Sequence, residues 1–155
     1  MPVRRSAGLL VYRVGASGVE VLLGHMGGPL WARRDEGGWT LPKGEYDAAS
    51  EEPLAAARRE FTEELGLPAP DGAVLPLGEV VQAGGKRVVA FAVEGDLDPD
   101  TVVPGTFEMV WPPRSGRVQS FPELDRFAWF ALADAAPKLI KAQREFLDRL
   151  AAALS

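Results

Sequence analysis

Residues 44–67 read G-E-Y-D-A-A-S-E-E-P-L-A-A-A-R-R-E-F-T-E-E-L-G-L, and the rest of the chain is best understood outward from them. Leu54, Ala57, Phe61 and Leu65 recur at helical spacing and form an apolar seam. Pro53 suits a first helical turn, where a missing N–H costs nothing. Gly66 is a natural residue just past the last turn, and Pro68 prevents continuation. On this helix Glu60, Glu63 and Glu64 stand at i, i+3 and i+4, neighbours on one face that lies largely away from the seam. Three carboxylates that close repel one another. A divalent cation among them removes the conflict, because hard cations take several oxygen ligands. An isolated cluster of this kind is commonly a solvated surface paired with residues such as Arg58 and Arg59, and such exposed pairs contribute little.

The chain has 155 residues, which predicts one domain over residues 1–155 with length enough for a core. It has no cysteine, so disulfides and thiolate metal sites are excluded. His25 is its only histidine, which excludes a multi-histidine zinc site and any cysteine–histidine nucleophile system. The start, Met1-Pro2-Val3-Arg4-Arg5, runs into a strand-like segment and does not read as a signal peptide, and no apolar run approaches membrane-spanning length. A cytoplasmic protein is expected, with no membrane partner. A formal charge of −5 argues against a nucleic-acid partner, which calls for a basic surface. An acidic protein can still bind polyphosphates when metal ions supply the positive charge.

Apolar runs at residues 6–14 and 19–25 predict an antiparallel pair of strands. Residues 39–44 (W-T-L-P-K-G) form an extended piece leading into the acidic stretch. Strands are expected at 74–82 and 87–94, joined by the hairpin turn Ala83-Gly84-Gly85-Lys86. Further strands are expected at 106–111 and 127–130, with a basic loop over 112–120. Helices are expected at 132–140 and 142–154. Strands on both sides of one helix, with helices at the end, predict an α/β fold with a mixed sheet between helical layers. Phe146, Leu147 and Leu150 make an apolar stripe on the last helix, either core or the face of a homodimer.

The order glycine, glutamate, then Arg-Glu-apolar-x-Glu-Glu-x-Gly-apolar resembles the signature of the Nudix hydrolases. Glu51 and Arg59 have the seven intervening residues of that pattern. Between Gly44 and Glu51 there are six residues where the pattern has five. The extra one falls in a loop, where insertions cost little. The resemblance implies an α/β/α sandwich and a pyrophosphohydrolase. It also implies that Arg59 orients the neighbouring glutamates, that Glu51 pairs with it or joins the metal shell, and that the Gly44 carbonyl is a further ligand. Glu123 stands six residues before Trp129, a Glu-x5-Trp spacing similar to that of the asymmetrical diadenosine tetraphosphate hydrolases. That similarity makes Glu123 a metal ligand or the general base, with Asp125 and Glu108 as competitors.

Phosphoanhydride hydrolysis needs charge neutralisation, a positioned water and removal of its proton. Glu60, Glu63 and Glu64 are the expected ligands of one or more Mg²⁺ ions, with Mn²⁺ as a substitute. Lys43 is placed to meet a phosphate as a point charge. Arg114 and Arg117 are candidates for distal phosphates, set against the plainer reading of a solvated basic loop. Trp31, Trp39 and Trp111 are candidates to stack a base or to pack, and His25 reads as structural. The resemblance, through residues 39–44 and the Glu123 spacing, implies a substrate that is a nucleoside diphosphate linked to another group, leaning to a dinucleoside polyphosphate such as diadenosine tetraphosphate or to a nucleoside triphosphate. Nucleotide sugars, and a catalytically silent metabolite-binding module, stand as alternatives.

Overall fold

The computed structural model describes residues 3–155; Met1 and Pro2, the first residues of the segment read as lacking a signal peptide, lie outside them. The two N-terminal apolar runs are β1 (Arg5–Gly15) and β2 (Gly18–Met26), paired antiparallel as expected. After them come β3 (Trp39–Thr40), β4 (Lys43–Glu45), α1 (Pro53–Leu65), β5 (Val74–Val81) and β6 (Arg87–Glu94). The chain ends with β7 (Thr106–Val110), β8 (Val118–Pro122), β9 (Leu124–Ala131), α2 (Leu132–Lys138) and α3 (Arg144–Leu154). Among the described residues β3-β2-β1-β6-β5 make the body of a seven-stranded sheet, to which β4 joins on β1 and β9 on β2. The β1–β6 pairing is parallel and the others are antiparallel, so the sheet is mixed.

Strand alternation sorts β1 between two cores. Ala7, Leu9 and Val11 face α1 and pack with Ala57, Phe61 and Leu65, all fully buried. Leu10 and Tyr12 face the other way, toward Phe146, Leu147 and Leu150 of α3. The result is a sheet between helical layers. Phe146, Leu147 and Leu150 are buried in the second core, so of the two readings of the α3 stripe the core one holds. Among the described residues no helix is long and apolar enough to cross a membrane.

Two segments depart from expectation. Residues 106–111 do form a strand, but it belongs to a separate two-stranded sheet with β8, which grows out of the end of the segment read as a basic loop. The alternation of β8 is muted because Val118, Gln119 and Ser120 are all exposed, so both faces are open there and polar residues are tolerated. The final strand is longer than 127–130 and begins at Leu124, directly after Glu123.

The feature that positions the site is a split in the sheet. β1 and β2 pair only where Tyr12–Gly15 meets Gly18–Val21. Toward the start of β1 they part. β3 pairs with β2 through Gly24↔Thr40 and His25↔Trp39, and β4 pairs with β1 through Ser6↔Glu45 and Gly8↔Lys43. Residues 39–45 therefore cross from one strand to the other and fill the gap. A hydrogen bond from the Leu9 N–H to the Pro42 carbonyl (3.1 Å) fastens the crossing.

Candidate active site

A cavity of about 330 Å³ opens at the split. β4 contributes Lys43, Gly44 and Glu45 to its wall, α1 contributes Glu60 and Glu64, Lys86 enters from the β5–β6 turn, and Glu123 closes one side. Five of the residues singled out in the sequence (Lys43, Gly44, Glu60, Glu64 and Glu123) thus meet in one place.

Glu60 and Glu64 reach the cavity because they lie on the sheet-facing side of α1, beside Ala57 and Phe61. Glu60 is buried, only 9% exposed. This corrects the expectation that all three glutamates lie away from the apolar seam. Glu63 alone does so: its carboxylate is exposed and lies 3.2 Å from Arg59 Nη1, outside the cavity lining. Gly44 packs directly on Glu60. A Cβ at position 44 would come within 2.0 Å of the Glu60 carboxyl carbon, so any side chain there displaces it.

Arg59 organises the acidic residues around it. Its Nε and Nη2 donate to the two oxygens of Glu51, each at 2.8 Å, the fork geometry that suits guanidinium and carboxylate. Nη1 donates to Glu60 (2.9 Å) and to Glu63. The extra residue in the signature loop does not disturb this pairing. Residues 47–50 close into a tight turn in which the Asp47 carbonyl accepts from the N–H groups of Ser50 (3.0 Å) and Glu51 (2.9 Å). The Asp47 carboxylate accepts from Ala49 N–H at 3.0 Å, completing an Asx turn.

The C-terminal end of α1 is strapped to Glu123 through the backbone. Gly66 adopts φ 69°, and Val103 N–H donates to the Leu65 carbonyl at 2.8 Å. Gly105 N–H reaches the Glu64 carbonyl (3.4 Å), and the Gly105 carbonyl accepts from Glu123 N–H (2.8 Å). The Glu123 carbonyl in turn accepts from Gly27 N–H at 2.9 Å, where the β2–β9 ladder shifts register. Glu64 and Glu123 are therefore held at a set separation by main chain.

Charge in the cavity is out of balance. Burial pushes the Glu64 carboxyl up to about 8, reinforced by the negative charges of Glu123 and Glu60. Burial also raises Glu60, against the opposing pull of Arg59. Glu51 is held low by its hydrogen bonds to Arg59. Lys43 is pushed down to about 8 by burial and by its neighbour Lys86. Among the described residues no three acidic or histidine side chains are gathered as a ready ligand set, and Arg59 occupies Glu60 as it stands. The donor set nevertheless fits a divalent cation. It is made of hard oxygens, buried and close enough together to favour protonation of Glu64, and it lies against a glycine that leaves the Glu60 carboxyl room.

The remaining candidates lie elsewhere. Arg114 and Arg117 sit in the β7–β8 turn, outside the cavity. Asp125 is hydrogen-bonded to His25 Nδ1 (2.9 Å), and Glu108 is exposed on the face of β7 opposite Phe107 and Met109. Of the three competing carboxylates Glu123 is the one at the cavity. His25 is fully buried, bonded also to the Arg34 carbonyl and edge-on to Trp39, which serves packing. Trp39 is core as well. Lys86 and Glu45 were missed by sequence reasoning. Lys86 reads there only as a turn residue; parallel pairing sets Arg87 level with Arg5, and antiparallel pairing sets Glu45 level with Ser6, so both arrive at the same end of β1.

The sequence matches the NUDIX domain family over residues 2–150. No curated protein matches. Among solved structures, a Caenorhabditis elegans Ap4A hydrolase binary complex is 24% identical, covering 96% of this chain and 97% of its own, with a TM-score of 0.63. The NUDIX domain of Shewanella oneidensis NrtR, complexed with ADP ribose, is 14% identical over 100% and 90%, with a TM-score of 0.65. The Nudix hydrolase RenU of M. smegmatis is 26% identical over 96% and 84%, with a TM-score of 0.59. With the family matched across nearly the whole length and the fold shared with these structures, the chain belongs to the Nudix family and is a hydrolase of phosphoanhydrides.

Proposed function

We propose that residues 1–155 act as one Mg²⁺-dependent pyrophosphohydrolase domain, cytoplasmic, with Mn²⁺ as a substitute cation. Its substrate is a nucleoside diphosphate linked to another group, preferably a dinucleoside polyphosphate such as diadenosine tetraphosphate, or a nucleoside triphosphate. The observation that carries this reading is the meeting of Glu60, Glu64 and Glu123 with Lys43 and Lys86 around one cavity. Glu60 and Glu64, with the Gly44 carbonyl, would hold the cation, which when bound would neutralise phosphate charge and acidify a water.

The chain's own groups supply the rest. Lys43 and Lys86, from opposite edges of β1, bind phosphate oxygens and orient the diphosphate. Arg59 holds Glu60 in place, itself fixed by Glu51 and Glu63. Glu123, set by the Gly105 strap, is the group best placed to accept the proton of the attacking water. Arg114 and Arg117 would serve only a substrate that extends beyond the cavity; the preference for a dinucleoside polyphosphate rests on the similarity of residues 39–44 and of the Glu123–Trp129 spacing to the diadenosine tetraphosphate hydrolases.

The test is turnover of a panel of dinucleoside polyphosphates, nucleoside triphosphates and nucleotide sugars with Mg²⁺, products identified by mass. Glu64→Gln is expected to drop turnover to background with the thermal midpoint retained. Glu123→Gln is expected to lower kcat by about 10²–10⁴-fold, the range of a lost general base. Near-normal turnover in Glu64→Gln overturns the reading.

A further inference from the structure

The two cavity lysines come from separate segments. Lys43 follows the crossing that fills the split in the sheet, and Lys86 ends the glycine-rich turn between β5 and β6. Two ammonium groups that share a cavity repel one another, and loose segments would let them swing apart into water. The turn gives Lys86 little support of its own. Ala83, Gly84 and Gly85 are exposed, and a Cβ on either glycine would meet nothing within 4 Å. On its β6 side the main chain is fixed where Arg87 N–H donates to the Arg4 carbonyl (2.9 Å). On its β5 side the turn is closed by Gln82, whose N–H donates to the Lys86 carbonyl (2.8 Å) and whose carbonyl accepts from Gly85 N–H (3.0 Å).

Gln82 is also tied to the segment of the other lysine. The amide of Gln143, a fully buried residue, spans the two. Its Nε2 donates to Gln82 Oε1 (3.0 Å) and to Thr40 Oγ1 (2.9 Å), and its Oε1 accepts from Leu41 N–H (3.1 Å). Thr40 lines the cavity, and Lys43 stands two residues past Leu41. We propose that Gln82 and Gln143 are positioning residues for phosphate binding: their amides brace the two lysine-bearing segments at one separation, so that Lys43 and Lys86 form a ready clamp on the phosphate chain. The inference rests on the phosphoanhydride reading of the cavity. A clamp set before the substrate arrives spares binding the work of gathering two like charges. It grips ground state and transition state alike, so its loss raises KM and leaves kcat.

The test is a double-mutant cycle on the full chain with Gln82→Met, Lys86→Met and the two together. Gln82 is half-buried, and methionine keeps the length of its side chain without the amide. Inorganic tripolyphosphate, a phosphate chain and nothing else, is titrated by calorimetry at fixed free Mg²⁺. KM and kcat are measured for diadenosine tetraphosphate and ATP, and thermal midpoints are recorded. Gln82→Met is expected to weaken tripolyphosphate binding and to raise KM by about three- to tenfold, with kcat within about twofold of wild type. In the Lys86→Met background the same substitution is expected to move neither constant. Tripolyphosphate affinity unmoved in Gln82→Met, with or without a lowered midpoint, overturns the brace and leaves the lysines in their role. So does an equal loss in both backgrounds, since Gln82 would then act without Lys86. Tripolyphosphate binding untouched by Lys86→Met removes the phosphate role of that lysine, and the brace with it.

Discussion

Glu60 and Glu64 show what a single position can hide. Counting apolar residues along α1 finds Ala57, Phe61 and Leu65, yet Glu64 lies seven residues after Ala57 and falls on the same side. The carboxylates were legible as a cluster; their burial was not, because periodicity weighs only apolar side chains. Burial has a consequence in solution. In the unfolded chain Glu64 titrates near 4.5 and in the metal-free fold near 8, so between those values the folded state holds more protons. The stability this carboxyl confers is complete below about pH 4.5 and is lost as the pH climbs through about 8. The metal-free thermal midpoint is therefore expected to fall between pH 5.5 and 7.5, the fall to shrink in Glu64→Gln, and Mg²⁺ to raise the midpoint at pH 7.5. Lys43, depressed from 10.5 to about 8, works in the other direction, but only above about pH 8. Arg59→Lys is expected to lower activity by about 10–100-fold although it keeps the charge, since an ammonium cannot grip Glu51 by a fork while reaching Glu60. Unchanged activity and metal affinity in that variant would sink this role.

At the level of elements, helix and strand identities were mostly legible and pairings were not. The 39–44 segment reads as extended, but its division into β3 on one strand and β4 on another depends on where β1 and β2 part, a property of twist and register with no local code. Arg114 and Arg117 are legible as a basic loop, whereas their distance from the glutamates is set by the separate β7–β8 sheet. The crossing segment is also held from the opposite layer. Gln143, fully buried just before α3, accepts from the Leu41 N–H at 3.1 Å and donates to Thr40 Oγ1 (2.9 Å) and Gln82 Oε1 (3.0 Å). Gln143→Leu strands the Leu41 donor away from water and is expected to cost about 1–3 kcal/mol in denaturant titration. Because Thr40 lines the cavity, the variant should also raise KM; an unchanged midpoint and KM would mean the network carries no such load.

Over the whole molecule, the layered α/β arrangement followed from the order of elements, with a helix between groups of strands and helices at the end. What did not follow was the parallel β1–β6 pairing, which brings the distant β5–β6 turn and its Lys86 beside β4. Long-range contacts of that kind leave no periodic mark in the chain. The resemblance of residues 44–67 pointed to the acidic centre; the place of Lys86 emerged only from the assembled structure. The additional signature residue sits in a turn whose ends are stitched together by Asp47 without help from Arg59 or α1. Its tip, from Ala48 to Ala49, faces solvent. A short epitope or a fluorophore-bearing peptide spliced between those two alanines should hang clear of the enzyme, at only a small entropic cost. Kinetic constants within about twofold of the parent are the expected readout, and the chain would then carry its own handle for capture or imaging beside a working catalyst.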